Sequence, residues 1–356
     1  WVYHFTRDDT ISQNRTNDDS PYIIEHKNGK FFISEEGQQL EEIYFAPAPE
    51  YYSRKTSDGI PMSQIAQPIG DLLFVTLNKY CEYFKGGNQC LFCDMTPTAT
   101  DQSKTGEAAS VHRTPQQVVE TLNEAFSEIK PRSYRHIVIS GGTIVSTYKG
   151  QTDLEYYASR LEAIAEGLKR WYPAAIQVGP PEDKDGWKRL KDTGIASIQP
   201  NMEVMDKAKF ELLCPGKAKN IGYDEWIRRM IQGAEVFGPG KITPNFVAGS
   251  EMAKPLGFDD VDEAVESNLR GFEFLMEQGI LPRLAVWLVE SKSALGGTEP
   301  APLEYYIKLG KGYKELREKY GLLDLLCGCR GCWPQDALYD WDYADRKERE
   351  KLTISV

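Results

Sequence analysis

Nowhere in this chain do apolar residues run together for the roughly eighteen positions that a membrane-spanning helix needs, so no span is expected. The first residues, "WVYHFTRDDTISQNRTNDD", lack the basic-then-apolar layout of a signal peptide, which leads us to expect a cytoplasmic protein. There is also no initiating Met, so the numbering is expected to begin inside a longer chain. Basic residues are in deficit, 42 Lys and Arg against 53 Asp and Glu, for a formal charge of -11. That balance argues against general affinity for nucleic acid, whose phosphates need clustered cations. Histidine is scarce at four residues, and no Walker A, GxSxG or HExxH pattern is present. No repeat of solenoid period and no low-complexity tract occurs.

Cysteine is present in an odd number, seven, and it is clustered rather than scattered. Cys81, Cys90 and Cys93 lie in "CEYFKGGNQCLFC", Cys214 stands alone in "ELLCPGK", and Cys327, Cys329 and Cys332 crowd into "LLCGCRGCW". An odd count in tight groups speaks against a disulfide framework and for bound metal.

From residue 71 the chain alternates apolar runs of strand length with amphipathic helical stretches. Strands are expected at 72–77, 136–142, 174–181, 196–204, 242–249 and 282–290. Helices are expected at 114–129, 153–172, 183–194, 223–238, 261–279 and 302–321, the first of them with Thr114 as N-cap and Pro115 at its first position. Such βα alternation predicts parallel units that curl into a barrel or a doubly wound sheet. Residues 1–70 read as an irregular N-terminal extension with two short strands around "KNG", residues 71–300 as the barrel, and residues 301–356 as a final helix followed by the cysteine-rich segment.

In parallel α/β folds chemistry gathers at the C-terminal ends of strands. Four unusual features fall at such ends: the first cysteine loop, the glycines of "SGGT", Glu203 in "NMEV" and the turn in "NFVAGSE". Each has an ordinary reading as well. The glycines fit a turn, Glu203 fits a cap on the helix of "MDKAKFELL", and Gly249 fits a tight βα connection. At the first cysteine loop two readings are open. Structural zinc would need a fourth ligand from elsewhere, whereas an iron–sulfur cubane held by three thiolates leaves one iron for an outside ligand.

Three cysteines after the first strand, with Phe92 just before the third, resemble the radical SAM superfamily, and its biotin-synthase-like branch in particular. The superfamily's usual spacing is C-x3-C-x2-C, while this chain has C-x8-C-x2-C. The resemblance covers residues 70–290 and implies a partial or full (β/α) barrel. It implies that Cys81, Cys90 and Cys93 hold a [4Fe–4S] cluster whose open iron chelates S-adenosylmethionine (SAM). Gly141, Gly142 and Thr143 match a GGE-like segment that meets the SAM amino group, with Thr where Glu is common. Glu203 matches a carboxylate that meets the ribose or methionine part. Asn245, Gly249 and Glu251 match the adenine-lining GxIxGxxE segment, with Asn245 in place of its first Gly. The implied reaction is reductive cleavage of SAM to a 5′-deoxyadenosyl radical that takes hydrogen from a small-molecule or cofactor-precursor substrate. An external donor such as ferredoxin or flavodoxin would supply the electron.

The C-terminal cysteines extend this reading. Cys327, Cys329 and Cys332, with Cys214 as an optional fourth ligand, suggest a second, auxiliary [4Fe–4S] cluster for electron relay, substrate binding or sulfur donation. A lone buried thiol is the plain reading of Cys214, and a zinc knob that of the C-terminal group. Two alternatives to the whole stay open here: a non-enzymatic two-cluster electron-transfer protein, and a barrel enzyme carrying structural zinc.

Overall fold

The computed structural model describes residues 2–5 and 11–14 as backbone, and residues 20–45, 48–69, 72–104, 111–128, 134, 136–169 and 173–322 in full. Cys327, Cys329 and Cys332 lie outside the described residues.

The first elements form an antiparallel sheet. Strands β1 (Val2–Phe5), β2 (Ile11–Asn14), β3 (Tyr22–Lys27), β4 (Lys30–Glu35) and β5 (Gln38–Phe45) take the order β2-β1-β5-β4-β3. Two-residue hairpins need a positive φ at both central positions to match strand twist. Asn28 and Gly29 supply 53° and 79°, and Glu36 and Gly37 supply 49° and 81°. The N-terminal stretch is therefore more regular than the two short strands expected. The signal was weak because residues 38–41 of β5 are all exposed and carry no apolar alternation.

The second sheet carries the expected βα rhythm. Strand β6 (Ala66–Ile69) pairs antiparallel with β7 (Leu72–Asn78), and β8 (His136–Gly141), β9 (Ala174–Gln177) and β10 (Ser197–Gln199) follow in parallel, in the order β10-β9-β8-β7-β6. Strands β11 (Asn245–Ala248) and β12 (Arg283–Val286) form a parallel pair. Isolated parallel bridges of Ile198 with Ile242 and of Glu203 with Phe246 join that pair to β10. The result is an arc of six parallel strands, β7 to β12, an α/β fold of partial-barrel form.

Alternation along the strands separates two faces. On β7, Leu73, Val75 and Leu77 are fully buried in the main core with helix residues such as Val118 and Leu122. Leu72 and Phe74 turn the other way and pack with Ile69, Val138 and Ala175 in a small inner cluster. Further along that inner face Gln177 and Gln199, paired in register, join by a 2.8 Å side-chain hydrogen bond. The inner face is thus apolar toward the strand starts and polar toward the strand ends, where ligands of such folds bind.

The helices are α1 (Met95–Lys104), α2 (Pro115–Ser127), α3 (Asp153–Gly167), α4 (Lys184–Lys191), α5 (Lys207–Leu213), α6 (Pro215–Asn220), α7 (Tyr223–Phe237), α8 (Val261–Glu277) and α9 (Leu303–Tyr320). Thr114 caps α2 in a reciprocal box with Gln117, as its sequence predicts, a device worth about 1 kcal/mol. Trp287 and Arg283 are both buried. Among the described residues no helix is long and apolar enough to cross a membrane.

Candidate cysteine-cluster and cofactor site

Asn78, the last residue of β7, ties the ends of β7 and β8 together. Its carbonyl accepts from Gly142 N at 2.8 Å, its Nδ2 donates to Gly142 O at 3.3 Å, and its Oδ1 accepts from Tyr80 N at 2.9 Å. One step further, Glu82 N donates to Thr143 O at 2.9 Å. The backbone of "SGGT" therefore lies flat against the start of the cysteine loop. Only glycine permits this: a Cβ on Gly142 would sit 2.1 Å from Tyr80 O and 2.7 Å from Cys81 Cα. At Gly141 it would sit 2.1 Å from the Tyr157 hydroxyl, which itself donates to Gly142 O at 2.8 Å. The two glycines are required by close approach, not merely by a turn.

The cysteine loop is held at several points. Glu82 opens a short 3-10 turn, and its carboxylate accepts from Ser146 N at 2.7 Å and Ser146 Oγ at 2.8 Å. Gly86 and Gly87 take φ of 88° and 75°, and Asn88 N then donates to Tyr83 O at 2.9 Å. Cys93 N donates to Cys90 O at 3.0 Å, which closes the tight turn between the last two cysteines. Phe92 is buried at the edge of the main core. Leu91 N donates to Leu213 O at 2.8 Å and Gly216 N to Asn88 O at 2.9 Å, so α5 and α6 brace the loop from behind.

The braces carry a fourth cysteine to the loop. Cys214, at the junction of α5 and α6, is fully buried, while Cys81, Cys90 and Cys93 remain partly exposed. Cys214 is the optional fourth ligand of the C-terminal centre, whose other cysteines lie outside the described residues; the backbone bonds from Leu91 N to Leu213 O and from Gly216 N to Asn88 O set its segment beside the first cysteine loop. The neighbouring Cys214 thiol holds the Cys90 thiol below the usual range, whereas burial pushes Cys81, Cys93 and Cys214 up. Among the described residues no three His, Cys, Asp or Glu side chains are arranged to hold a single ion. A mononuclear zinc site would need its sulfurs roughly 3.8 Å apart, as tetrahedral bonds of about 2.3 Å require. A cubane spreads its thiolates over separate corners, so three cysteines on one loop, soft donors beside a glycine-lined backbone, suit a cluster better than one ion.

Lys217 of α6 completes the neighbourhood. Its Nζ donates to Asn201 O at 2.5 Å and to Glu203 Oε1 at 2.9 Å, and it lies 5.1 Å from the Trp226 ring centroid. Burial opposes its charge, but Glu203 and the Cys90 and Cys214 thiols push its pKa up. Glu203 itself takes φ of 77°, donates from N to Asn245 O at 3.0 Å and accepts at O from Val247 N at 2.8 Å. It does not cap α5, whose N-cap is Asp206. Sequence reading missed Lys217: a lysine in "PGKAKN" carries no pattern, and only its spacing from Cys214 hinted that it belongs to the site.

At the end of β11, Gly249 takes φ of 100°, and a Cβ there would lie 2.4 Å from the Tyr306 hydroxyl. Its N–H donates to Glu251 Oε2 at 3.0 Å. The other oxygen, Oε1, accepts from Asn268 Nδ2 at 2.5 Å and from the Tyr305 hydroxyl. Burial pushes the Glu251 pKa up. Both of its oxygens are engaged inside the protein, so its part here is to shape the Gly249 turn against α8 and α9. Asn245 N donates to Asn201 Oδ1 at 3.2 Å, which joins the segment after β10 to the start of β11.

No protein-family model matches the chain. It is similar to bacteriochlorophyllide c C-7(1)-hydroxylase of Chlorobaculum limnaeum, with 23% identity over 296 residues, 80% of this chain and 69% of that protein. Among solved structures it is similar to the FeFe-hydrogenase maturase HydG of Carboxydothermus hydrogenoformans, at 16% identity and a TM-score of 0.49. That match takes in 72% of this chain and 56% of HydG, so the chain spans little more than half the length of that protein. A second solved structure, the cobalamin-dependent S-adenosylmethionine radical enzyme OxsB with aqua-cobalamin bound, is matched at 14% identity and a TM-score of 0.37, over 69% of this chain and 30% of OxsB.

Proposed function

From the resemblance of its cysteine and glycine motifs to the radical SAM superfamily, we propose that this chain is an enzyme that cleaves SAM reductively and directs the resulting radical at a C–H bond of a small molecule. One observation carries the proposal: Cys81, Cys90 and Cys93 share a single braced loop at the end of β7, whose first cysteine packs against the side-chain-free backbone of Gly142. Cys81, Cys90 and Cys93 would hold a [4Fe–4S] cluster, and Gly141, Gly142, Thr143, Glu203, Lys217, Asn245 and Gly249 would surround SAM. When bound, the two together supply one-electron cleavage of a carbon–sulfur bond and a carbon radical able to take hydrogen.

The protein's own residues do the rest. Glycines let the backbone approach the ligand, where backbone groups can meet the SAM amino group. Lys217 presents a buried cation, paired with Glu203, beside the thiol group and is suited to a carboxylate. The polar strand ends, with Gln177 and Gln199 joined across the inner face, offer hydrogen bonds to a substrate lying over them. Hydroxylation of bacteriochlorophyllide c at C-7(1), the activity in the name of the Chlorobaculum limnaeum relative, is one reaction of this class. Cys327, Cys329 and Cys332 would hold an auxiliary cluster.

Anaerobic reconstitution with iron and sulfide tests this. Wild type is expected to take up about eight irons per chain, four per cluster, and to turn SAM and dithionite into 5′-deoxyadenosine and methionine. Cys90→Ala should lose the cleavage, and Cys329→Ala should keep it with about four irons fewer. Absence of iron–sulfide uptake, or of cleavage by the reduced protein, overturns the proposal.

A further inference from the structure

Gln199, the last residue of β10, buries an amide that has no partner inside the protein. It is 1% exposed, its Oε1 accepts from Gln177 Nε2 at 2.8 Å, and its own Nε2 makes no hydrogen bond. Register fixes the side on which it stands. Gln199 pairs with Gln177, and Ser197 with Ala175, while the alternate residues Ile176 and Ile198 belong to the main core on the helix side. Ala175 pairs with Val138, and both belong to the inner cluster with Phe74. Gln199 therefore lies one layer above that cluster on the inner face. Ser140 follows Ile139, the partner of Ile176, and pairs with Thr76, so Thr76, Ser140, Gln177 and Gln199 form one polar row over an apolar floor. The first three are half-buried, which leaves the row open to a ligand above it. The backbone at Gln199 has no freedom to turn the amide away. Ile198 N donates to Lys241 O at 2.9 Å, Thr243 N donates to Ile198 O at 2.8 Å, and Trp226 Nε1 holds Pro200 O at 3.0 Å.

We propose that Gln199 Nε2 donates a hydrogen bond to an sp2 oxygen of the substrate, a carbonyl or a carboxylate, and thereby selects substrates that carry one. This rests on the functional reading above for the ligand being a substrate, and adds to it the chemistry that the site takes. Burying an amide N–H without an acceptor lowers stability, so such a group is expected to be met when the site is filled. Ligand sites commonly set a few convergent polar groups of this kind over an apolar lining. Gln177 occupies the Gln199 oxygen, so the open end of the amide is its N–H and the matching ligand atom is an acceptor. A buried donor also rejects an analogue that lacks the acceptor, because the donor then stays unpaired.

The test is urea unfolding of the full chain after reconstitution, wild type against Gln199→Met, with three probes of one shape: acetamide, acetate and acetamidinium. A probe at about 0.1 M that binds only the folded chain, with Kd of about 10 mM, multiplies the folded-to-unfolded ratio about tenfold. General effects of a probe on unfolding act on both chains and cancel in the comparison. Acetamide or acetate should give about that gain in wild type and less than about twofold in Gln199→Met. A gain with acetamide assigns a neutral carbonyl as the substrate oxygen, and a gain with acetate a carboxylate. Acetamidinium has the same outline and no oxygen, and should give no gain. Equal gains in the two chains, no gain with either oxygen probe, or a wild-type gain with acetamidinium overturns the proposal. If Gln199→Met does not fold, Gln199→Glu keeps an oxygen for Gln177 and drops the amide donor; a wild-type response in it overturns the proposal. Wild type that answers to an oxygen probe but takes up no iron and sulfide, or leaves SAM uncleaved, overturns the functional reading and leaves the oxygen site standing.

Discussion

Lys217 Nζ lies 2.9 Å from Glu203 Oε1, and the two side chains are only 8% and 14% exposed. At that burial the pair cannot be treated as a surface ion pair worth a few tenths of a kcal/mol. Removing one partner leaves the other charge stranded, at a cost of about 3–5 kcal/mol, whereas removing both is far less costly. Lys217→Met is therefore expected to lower unfolding free energy in urea by about that amount, and the double variant with Glu203→Gln to recover most of it. Equal losses in the single and double variants would show that the charges are not coupled.

Gly142 and Gly179 give a contrast between two glycines at strand ends. A Cβ on Gly142 meets the Tyr80 carbonyl at 2.1 Å, while one on Gly179 meets nothing within 4 Å. Gly142→Ala must push backbone against backbone, so it should cost about 1–3 kcal/mol and shift the cysteine loop. Iron uptake in reconstitution should fall severalfold with it. Gly179→Ala should change stability by less than about 0.5 kcal/mol. Normal iron uptake by Gly142→Ala would mean that the loop does not depend on this contact.

Asp153, first residue of α3, holds the chain just beyond "SGGT" through its Oδ1, which accepts from Ile144 N at 2.8 Å. Burial nevertheless pushes its pKa up to about 7 from the ordinary 3.8. Between those two values the unfolded chain has released this proton while the folded chain retains it, so the folded state binds more protons. Stability from this group therefore falls as pH rises from about 4 to about 7 and is level above that. Chemical denaturation of wild type and Asp153→Asn across pH 4–8 should show this slope in wild type and a flatter curve in the variant. Parallel curves would place the ionisation elsewhere.

The strand–helix rhythm was legible because both periods are strong here. Leu73, Val75 and Leu77 alternate with inward residues on β7, and Thr114 with Pro115 announces α2 without help from tertiary structure. Boundaries depended on contacts that no local pattern encodes. The expected strand at 196–204 ends at Gln199, because Pro200 has no N–H and Glu203 turns left-handed to bridge β11. Helices α1 and α6 went unread, the first polar and the second only six residues long and opening on a Pro-Gly pair. Of the site, residue types with narrow chemistry, Cys and close-packed Gly, were readable. Lys217 and the placing of Cys214 behind the cysteine loop were not, since both follow from how α5 and α6 fold back on it.

The bond from Asn88 N to Tyr83 O, 2.9 Å, bears on how chains of this kind are recognised. It ties off residues 84–87 as a closed excursion whose strain is absorbed by Gly86 and Gly87. With those four positions set aside, the eight residues between Cys81 and Cys90 reduce to four, 82, 83, 88 and 89. The chain path linking the first two thiols is then close in length to that of the common three-residue motif. Counting residues measures contour; the thiols answer to span, and loops sealed in this way let the two diverge without moving the sulfurs apart.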